Sequence, residues 1–187
     1  MPKLFKVSDD LYRSAQPKAE GMKNLAAFGV ETVVNVRMFH SDKRRIRDTD
    51  LGYERINIKP WHTNEKKVVR FLQIVTDPER TPVLLHCYKG ADRTGMLSAM
   101  YRIVVQGWTK EAAIEEMKKG GYGFSPFWGN LPRWIKKADI ESIRNQVGIS
   151  YPSRSESAEF LSDWCRIGIV SARASWTRDE RAMGLVP

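Results

Sequence analysis

One stretch of thirteen residues, 83–95, constrains the fold of this sequence more than any other. Residues 81–86, Thr-Pro-Val-Leu-Leu-His, are nearly all apolar, which is typical of a central strand buried on both faces. Residues 93–106 carry apolar side chains on most sides, which predicts a buried helix. Only residues 87–92 separate the two elements. The chain must therefore turn from a strand into a helix through one tight loop.

This loop has the features of an anion-binding site. A tight turn from strand to helix points successive backbone N–H groups into one concavity, where the positive end of the helix dipole also lies. Gly90 in the middle of the loop permits backbone torsions and a close approach that a side chain would forbid. We expect a phosphate group to bind against the loop residues Tyr88, Lys89, Gly90, Ala91, Asp92 and Arg93.

Three side chains suit covalent chemistry on that phosphate. Cys87 lies where the positive potential stabilises a thiolate, so we predict a nucleophilic sulfur that is ionised at neutral pH. Arg93 is planar and always charged, so it can hold two phosphate oxygens through the transition state. Thr94 can donate its hydroxyl to the sulfur as the sulfur leaves. The competing interpretation is a core cysteine near a surface arginine, and the strand, glycine and helix around Cys87 argue against it.

Residues 86–95, His-Cys-x-x-Gly-x-x-Arg-Thr-Gly, resemble the signature of the protein tyrosine phosphatase superfamily, and specifically its compact dual-specificity branch. Residues 11–17, Leu-Tyr-Arg-Ser-Ala-Gln-Pro, and residues 29–37 are similar to the atypical bacterial, fungal and plant members of that branch. The resemblance covers about residues 4–146. It implies two-step hydrolysis of a phosphomonoester through a phosphocysteine intermediate, with no metal ion and no organic cofactor.

The residue that protonates the leaving oxygen is left open by the sequence. In the resembled family an aspartate supplies this proton from a loop after the strand that we place at residues 53–58, but residues 59–65 contain no aspartate. We favour Asp92, because the phosphate loop then resembles that of the myotubularin lipid phosphatases, whose proposed acid is an in-loop aspartate. His62 comes next, and Asp42, expected to be a solvated side chain that could swing in, comes last. Asp92 could instead make only a structural hydrogen bond. His62 could instead only line the mouth of the pocket.

The sequence leaves two classes of phosphomonoester as candidate substrates. A phosphorylated protein, above all one that carries phosphotyrosine, is the leading prediction. Lys89 in the loop, the basic residues at 43–47 and a net charge of +9 instead favour a multiply charged substrate, such as a phosphoinositide or an inositol polyphosphate. The plain alternative is that these basic side chains only face solvent. The sequence has no nucleic-acid-binding motif, so we expect no nucleic-acid partner.

Two other functions remain as alternatives to a phosphatase. Rhodanese-type sulfur transfer also uses a thiolate at a strand-to-helix loop, but that loop lacks the Arg-Thr-Gly ending of residues 93–95. A phosphate-binding pseudophosphatase would explain the missing aspartate in residues 59–65. Turnover of an aryl phosphate separates both alternatives from a phosphatase.

The alternation of strands and helices predicts a single α/β domain, residues 1–147, with a mainly parallel central sheet flanked by helices. A polar break introduces residues 148–187, a C-terminal extension to which we assign no role. The spacing of the histidines and of Cys87 and Cys165 predicts no metal site. No signal-peptide or membrane-spanning stretch is seen, so we expect no stable membrane insertion and a cytoplasmic location, although a trimmed leader would leave the same sequence. The oligomeric state is not predicted.

Overall fold

The structure is a computed structural model that describes residues 4–149. Its strands are β1 (Phe5–Lys6), β2 (Leu11–Ser14), β3 (Thr32–Asn35), β4 (Gly52–Arg55) and β5 (Val83–His86). Its helices are α1 (Ala19–Phe28), α2 (Lys43–Ile46), α3 (Glu65–Val75), α4 (Asp92–Val104), α5 (Lys110–Lys119), α6 (Asn130–Lys137) and α7 (Ile140–Val147), with a 3-10 turn at Pro126–Trp128. Within the described residues, no helix is long and apolar enough to cross a bilayer.

The strands form one sheet in the order β1-β2-β5-β3-β4. β1 pairs with β2 in antiparallel orientation, and the other neighbouring pairs are parallel. The predicted mainly parallel sheet is therefore confirmed, and the strand predicted at residues 81–86, which the structure shows at Val83–His86, lies at its centre. His86 stands level with Ser14 of β2 on one side and with Asn35 of β3 on the other. The carboxyl ends of three adjacent strands therefore meet at one edge of the sheet, and the chain turns into loops there.

Helices cover both faces of the sheet because successive strand residues point to opposite sides. Val83 and Leu85 point into a large core packed by α3, α4, α5, α6 and α7. Leu84 points into a smaller core on the other face, which it shares with Met22 and Leu25 of α1. α4 lies under the sheet with ten of its thirteen residues buried, so the start of this helix is held rigidly behind β5.

The structure differs from the sequence prediction at the strand expected at residues 53–58, which ends at Arg55, although Ile56 still donates a backbone hydrogen bond to Asn35. The basic residues at 43–46 form the short helix α2. At the end of the described chain, the extended Ala138 ends α6, and Asp139 caps α7 by accepting a hydrogen bond from the Ser142 N–H at 3.0 Å. The extension predicted from residue 148 lies outside the described residues from residue 150 onward, as does Cys165.

Candidate active site

Cys87 follows β5 directly and begins the loop of residues 87–91, here called the phosphate loop. Its side chain is 2% exposed and belongs to the large core. Gly90 has a φ of 70°, a conformation that L side chains rarely adopt. A Cβ atom at Gly90 would lie 2.5 Å from the backbone carbonyl of Ser14, so the loop passes against the end of β2. Only glycine fits this crossing.

The backbone N–H groups of the loop and of the first turn of α4 are left available for an anion. Within the described part of the chain, the N–H groups of residues 88–94 donate no hydrogen bond, and the ladder of α4 begins with Gly95 N–H bonding to the Ala91 carbonyl at 2.7 Å. A helix leaves about four such N–H groups without a partner at its start. The phosphate loop adds further N–H groups to them, which builds a cradle for an anion with the helix dipole behind it.

Arg13 of β2 holds the outer side of the phosphate loop, a role that the sequence analysis missed. It is 1% exposed, donates from Nη2 to the Gly90 carbonyl at 2.9 Å, and lies 3.4 Å from the Ala91 carbonyl. Its guanidinium also packs over the ring of Tyr122 at 3.8 Å. A peptide unit carries its carbonyl and N–H in opposite directions, so holding these carbonyls outward turns the next N–H groups inward. An arginine inside a buried strand was the signal for this role.

Arg93 and Thr94 lie in the first turn of α4, close behind the cradle. Arg93 is half-buried, and its Nη1 lies 3.5 Å from the Val36 carbonyl at the end of β3. Thr94 is fully buried, and its hydroxyl has no hydrogen-bond partner in the described residues. The expected bond from Thr94 to the sulfur of Cys87 is therefore not formed in this structure, and its role in releasing the sulfur stays a prediction.

Asp42 does not lie where the sequence analysis expected it. Its side chain is 0% exposed, so the prediction of a solvated aspartate that could swing toward the substrate is wrong. The physical reason is that α2 folds the basic segment back onto the sheet edge. There the Asp42 carboxylate accepts hydrogen bonds from Gln16 Nε2 at 2.8 Å, from Arg45 Nη1 at 2.9 Å and from Asn35 Nδ2.

His86, the last residue of β5, is the other neighbour of this carboxylate. Its Nε2 lies 3.2 Å from Asp42 Oδ2, and its Nδ1 lies 3.1 Å from the Cys87 carbonyl. Burial alone would raise the pKa of Asp42, but the hydrogen bond and charge of His86, with the hydrogen bonds from Gln16 and Arg45, lower it to about 2. Asp42 is thus a carboxylate at neutral pH and holds no proton to give.

Asp92 and His62, the other two acid candidates, lie in segments that are tied to each other. Asp92 is the first residue of α4, is half-buried, and accepts the Ser125 N–H at 2.8 Å. His62 is exposed in the loop after β4, where its N–H donates to the Lys59 carbonyl at 3.1 Å. Asn130 Nδ2 donates to the Pro60 carbonyl at 2.7 Å, so residues 125–130 bridge the two segments.

The rim of the site is basic and aromatic. Tyr88 and Lys89 of the phosphate loop are exposed, and the Arg37 guanidinium lies 5.0 Å from the centroid of the Tyr88 ring. Arg37 also bonds to Gln16, the residue that reaches Asp42. Beside them a pocket of about 540 Å³ is lined by His40, Ser41, Lys43, Arg44 and Arg45. The basic segment therefore lies next to the phosphate loop, because the neighbouring strands β3 and β5 end at the same edge.

Known proteins share both the sequence and the fold of this chain. The family described as a DSP-PTPase phosphatase fused to NAD+ kinase matches residues 6–126. The dual specificity protein phosphatase TpbA of Pseudomonas aeruginosa is 37% identical over 162 residues, which cover 81% of this chain and 70% of that protein. The inositol diphosphatase DSP5 of Arabidopsis thaliana is 27% identical over 128 residues, or 63% of this chain and 61% of that protein.

Solved structures agree with these sequence matches. The crystal structure of Pseudomonas aeruginosa TpbA in complex with pTyr superposes with a TM-score of 0.71 at 33% identity, covering 79% of this chain and 91% of that one. The catalytic domain of the Saccharomyces cerevisiae PP-IP phosphatase SIW14 has a TM-score of 0.69 at 19% identity, with 78% and 91% covered, and shows the same fold. The resemblance of residues 86–95 is thereby confirmed: the chain belongs to the dual-specificity (DSP-PTPase) family of the protein tyrosine phosphatase superfamily.

Proposed function

We propose that this dual-specificity phosphatase acts on phosphotyrosine in proteins, with Cys87 as nucleophile and Arg93 as the group that holds the phosphate. The observation that carries the proposal is the set of N–H groups of residues 88–94, which directly follow Cys87 and donate no hydrogen bond within the described chain. Such donors bind a dianionic phosphate and the charge that develops on it during transfer. The pTyr complex of TpbA supports phosphotyrosine as the substrate.

The reaction proceeds in two balanced steps. The Cys87 thiolate attacks phosphorus while the bond from phosphorus to the ester oxygen breaks, and an acid gives that oxygen its proton. Water then attacks the phosphocysteine and gives a proton to the carboxylate of the acid, so inorganic phosphate leaves and both the thiolate and the acid are restored. Arg93 stays hydrogen-bonded to the equatorial oxygens of the phosphoryl group in both transition states.

Asp92 is the proposed acid in the first step. It lies at the edge of the cradle, and one of its oxygens, Oδ1, is engaged with Ser125, which fixes the orientation of the carboxyl group. His62 is the alternative, since it lies in the exposed loop that residues 125–130 hold near Asp92. The pKa of about 2 and the full burial of Asp42 argue against that side chain as a donor.

A multiply phosphorylated inositol is the second candidate substrate, and the basic pocket favours it. Lys43 and Arg44 are exposed on its lining, and Lys89 is exposed on the phosphate loop. Several cations around one phosphate site suit a ligand with more than one phosphate group. The inositol diphosphatase DSP5 among the relatives supports this candidate.

Hydrolysis of para-nitrophenyl phosphate tests the chemistry. We expect turnover that vanadate inhibits, that Cys87→Ser abolishes, and that the matched control Cys165→Ser retains. Phosphate binding without turnover would instead identify a pseudophosphatase, and thiosulfate-dependent conversion of cyanide would identify a sulfurtransferase. A panel of phosphotyrosine peptides, phosphoserine and phosphothreonine peptides, phosphoinositides and inositol polyphosphates then ranks the substrates on one preparation.

Two predictions about the whole chain belong to the same proposal. We propose a cytoplasmic location, which fractionation of the source cells checks. We also propose that residues 1–147 form the phosphatase domain and residues 148–187 an extension that the chemistry does not need. A chain that ends at residue 149 and keeps full activity would support this boundary, and loss of activity with the fold intact would contradict it.

A further inference from the structure

We propose that the edge of the protein that carries the phosphate loop docks on the surface of an anionic membrane. Exposed aromatic rings enter the headgroup region of the lipids, and lysine and arginine side chains face the lipid phosphates. Docking of this kind needs no membrane-spanning helix. It goes beyond the proposed hydrolysis of phosphomonoesters and does not depend on it.

Four segments meet at this edge, here called the phosphate-loop edge: residues 36–44, 59–64, 87–92 and 125–130. The first and the third follow the adjacent strands β3 and β5, which end level with each other. The second lies over the start of α4, where Thr63 Oγ1 is 3.4 Å from Met96 Sδ. The fourth is tied to the second by the hydrogen bond from Asn130 to the Pro60 carbonyl. All four segments therefore lie on the side of the sheet that carries the phosphate loop.

Each of the four segments exposes one large aromatic side chain. In the described part of the chain six large hydrophobic residues are exposed, and four of them lie at the phosphate-loop edge. They are Phe39 at 88%, Trp61 at 59%, Tyr88 at 61% and Phe127 at 82% exposed. An aromatic ring in water is unfavourable unless a partner covers it, so four rings at one edge indicate an interaction surface.

The exposed charges of the same edge are positive. The exposed cations are Lys43, Arg44, Lys59 and Lys89. The four segments contain two carboxylates, and neither is exposed: Asp42 is fully buried and Asp92 is half-buried. The phosphate-loop edge therefore presents a positive face, which an anionic surface attracts.

The opposite edge of the sheet is acidic. Glu31 precedes β3, Asp50 lies two residues before β4, and Glu79 lies between α3 and β5. All three are exposed, and they line one pocket together with Glu54 of β4. A protein with one positive and one negative edge orients in the field of an anionic membrane, and here the phosphate-loop edge turns toward the lipid.

A membrane fits this edge better than an acidic protein does, because its aromatic rings stand among cations. Trp61 lies two residues after Lys59, and Tyr88 is next to Lys89. The core of a protein–protein interface is depleted in charged residues. Single aromatic rings among lysines and arginines are instead typical of a surface that rests at the membrane–water interface.

Cosedimentation of the full chain with lipid vesicles tests the proposal. Vesicles of phosphatidylcholine alone are compared with vesicles that also contain phosphatidylglycerol, whose headgroup is a phosphodiester and so is no phosphomonoester substrate. Vanadate in the buffer keeps the phosphate loop occupied. We expect binding to the anionic vesicles that falls as salt is added, and little binding to phosphatidylcholine.

Paired variants identify the side chains that bind. Phe39→Ser and Phe127→Ser should each weaken binding to the anionic vesicles about 5–30-fold, because each removes an aromatic ring from the interface. Lys43→Gln combined with Arg44→Gln should weaken it by a similar factor. The matched control Phe28→Ser removes a 60% exposed ring at the end of α1, shortly before β3 begins, and should bind like the unaltered protein. Unchanged hydrolysis of para-nitrophenyl phosphate shows that Phe39→Ser is folded.

Failure of the unaltered protein to bind anionic vesicles at low salt would overturn the proposal. Binding that both phenylalanine variants retain would also overturn it, and equal binding of a polyglutamate peptide would then assign the edge to an acidic protein instead. A protein that binds the vesicles but hydrolyses no phosphomonoester would refute the proposed function and leave the docking surface standing. An active phosphatase that binds no vesicle would do the reverse.

Discussion

Replacing Asp92 by asparagine separates the two roles that this side chain has in the proposed mechanism. Asp92 Oδ1 accepts the Ser125 N–H at 2.8 Å, and asparagine retains a carbonyl oxygen at the same position. The structural hydrogen bond therefore persists, while the proton for the leaving group is lost. The change also removes a negative charge from the first turn of α4, which costs about 0.3–1 kcal/mol in the free energy of unfolding.

The expected loss of activity depends on the leaving group. Tyrosine is a poor leaving group because its hydroxyl has a pKa of about 10, so removal of the acid should lower kcat on phosphotyrosine by about 10²–10⁴-fold. An activated aryl phosphate needs little protonation of its leaving oxygen and should lose less than about tenfold. Asp92→Ala should match Asp92→Asn in kcat but lose a further ~1 kcal/mol of stability, since the bond from Ser125 is also removed.

The assay measures kcat for a phosphotyrosine peptide and for para-nitrophenyl phosphate on Asp92→Asn, Asp92→Ala and His62→Asn, beside thermal unfolding of each variant. His62 is the matched comparison, because it is the other acid candidate and is exposed on a loop. Equal losses on both substrates in Asp92→Asn would refute the reasoning. A loss that depends on the leaving group in His62→Asn alone would transfer the acid role to His62.

Three further predictions concern the framework of the site. Gly90→Ala should lower stability by about 1–3 kcal/mol and abolish vanadate binding, because its Cβ would lie 2.5 Å from the backbone of β2; Gly121→Ala, at a φ of 80° with open space around it, is the control for backbone strain alone. Arg102→Met should cost about 2–3 kcal/mol in urea unfolding, since Arg102 joins α4 to α5 through two bonds to Glu116 of 3.0 and 2.7 Å. Asp42 should make the free energy of unfolding depend on pH in acid, because its pKa is about 2 in the folded protein and 3.8 ordinarily. The ionised carboxylate then contributes about 2 kcal/mol of stability above pH ~4, and this contribution is lost as the pH falls toward 2. Urea unfolding at pH 2–6 checks this loss, and an equal acid dependence in Asp42→Asn would contradict it.

The sequence predicts the centre of this site because its signals are local. An apolar strand, a cysteine, a glycine and an apolar helix follow one another within residues 83–106, so the loop between them is fixed by its own neighbours. The element order likewise predicts parallel strands with helices on both faces. These features need no knowledge of which distant segments meet.

The surroundings of the loop could not be predicted in the same way, because they depend on contacts between distant segments. Asp42 stands among basic residues, a composition typical of a solvated segment, yet it is buried against His86, which is 44 positions away in the sequence. A signal was present in the strands themselves. Asn35 and His86 are polar residues that end two buried strands, and a buried polar side chain needs a partner. Asn35 and His86 stand level in neighbouring strands, so the Asp42 carboxylate can contact both side chains.

The polar residues within these strands follow from what the phosphate loop must do. A loop that presents its N–H groups to an anion cannot also use them to satisfy its own carbonyls, so those carbonyls need donors from elsewhere. Arg13 supplies them for Gly90 and Ala91 from β2, and His86 supplies one for Cys87 from β5. Arg13 is a cation, and both donors approach the loop from the side of the sheet rather than from the side of the substrate. Arg13 therefore fixes the shape of the loop and also places a positive charge near the cysteine, so one side chain both holds the loop and favours a thiolate.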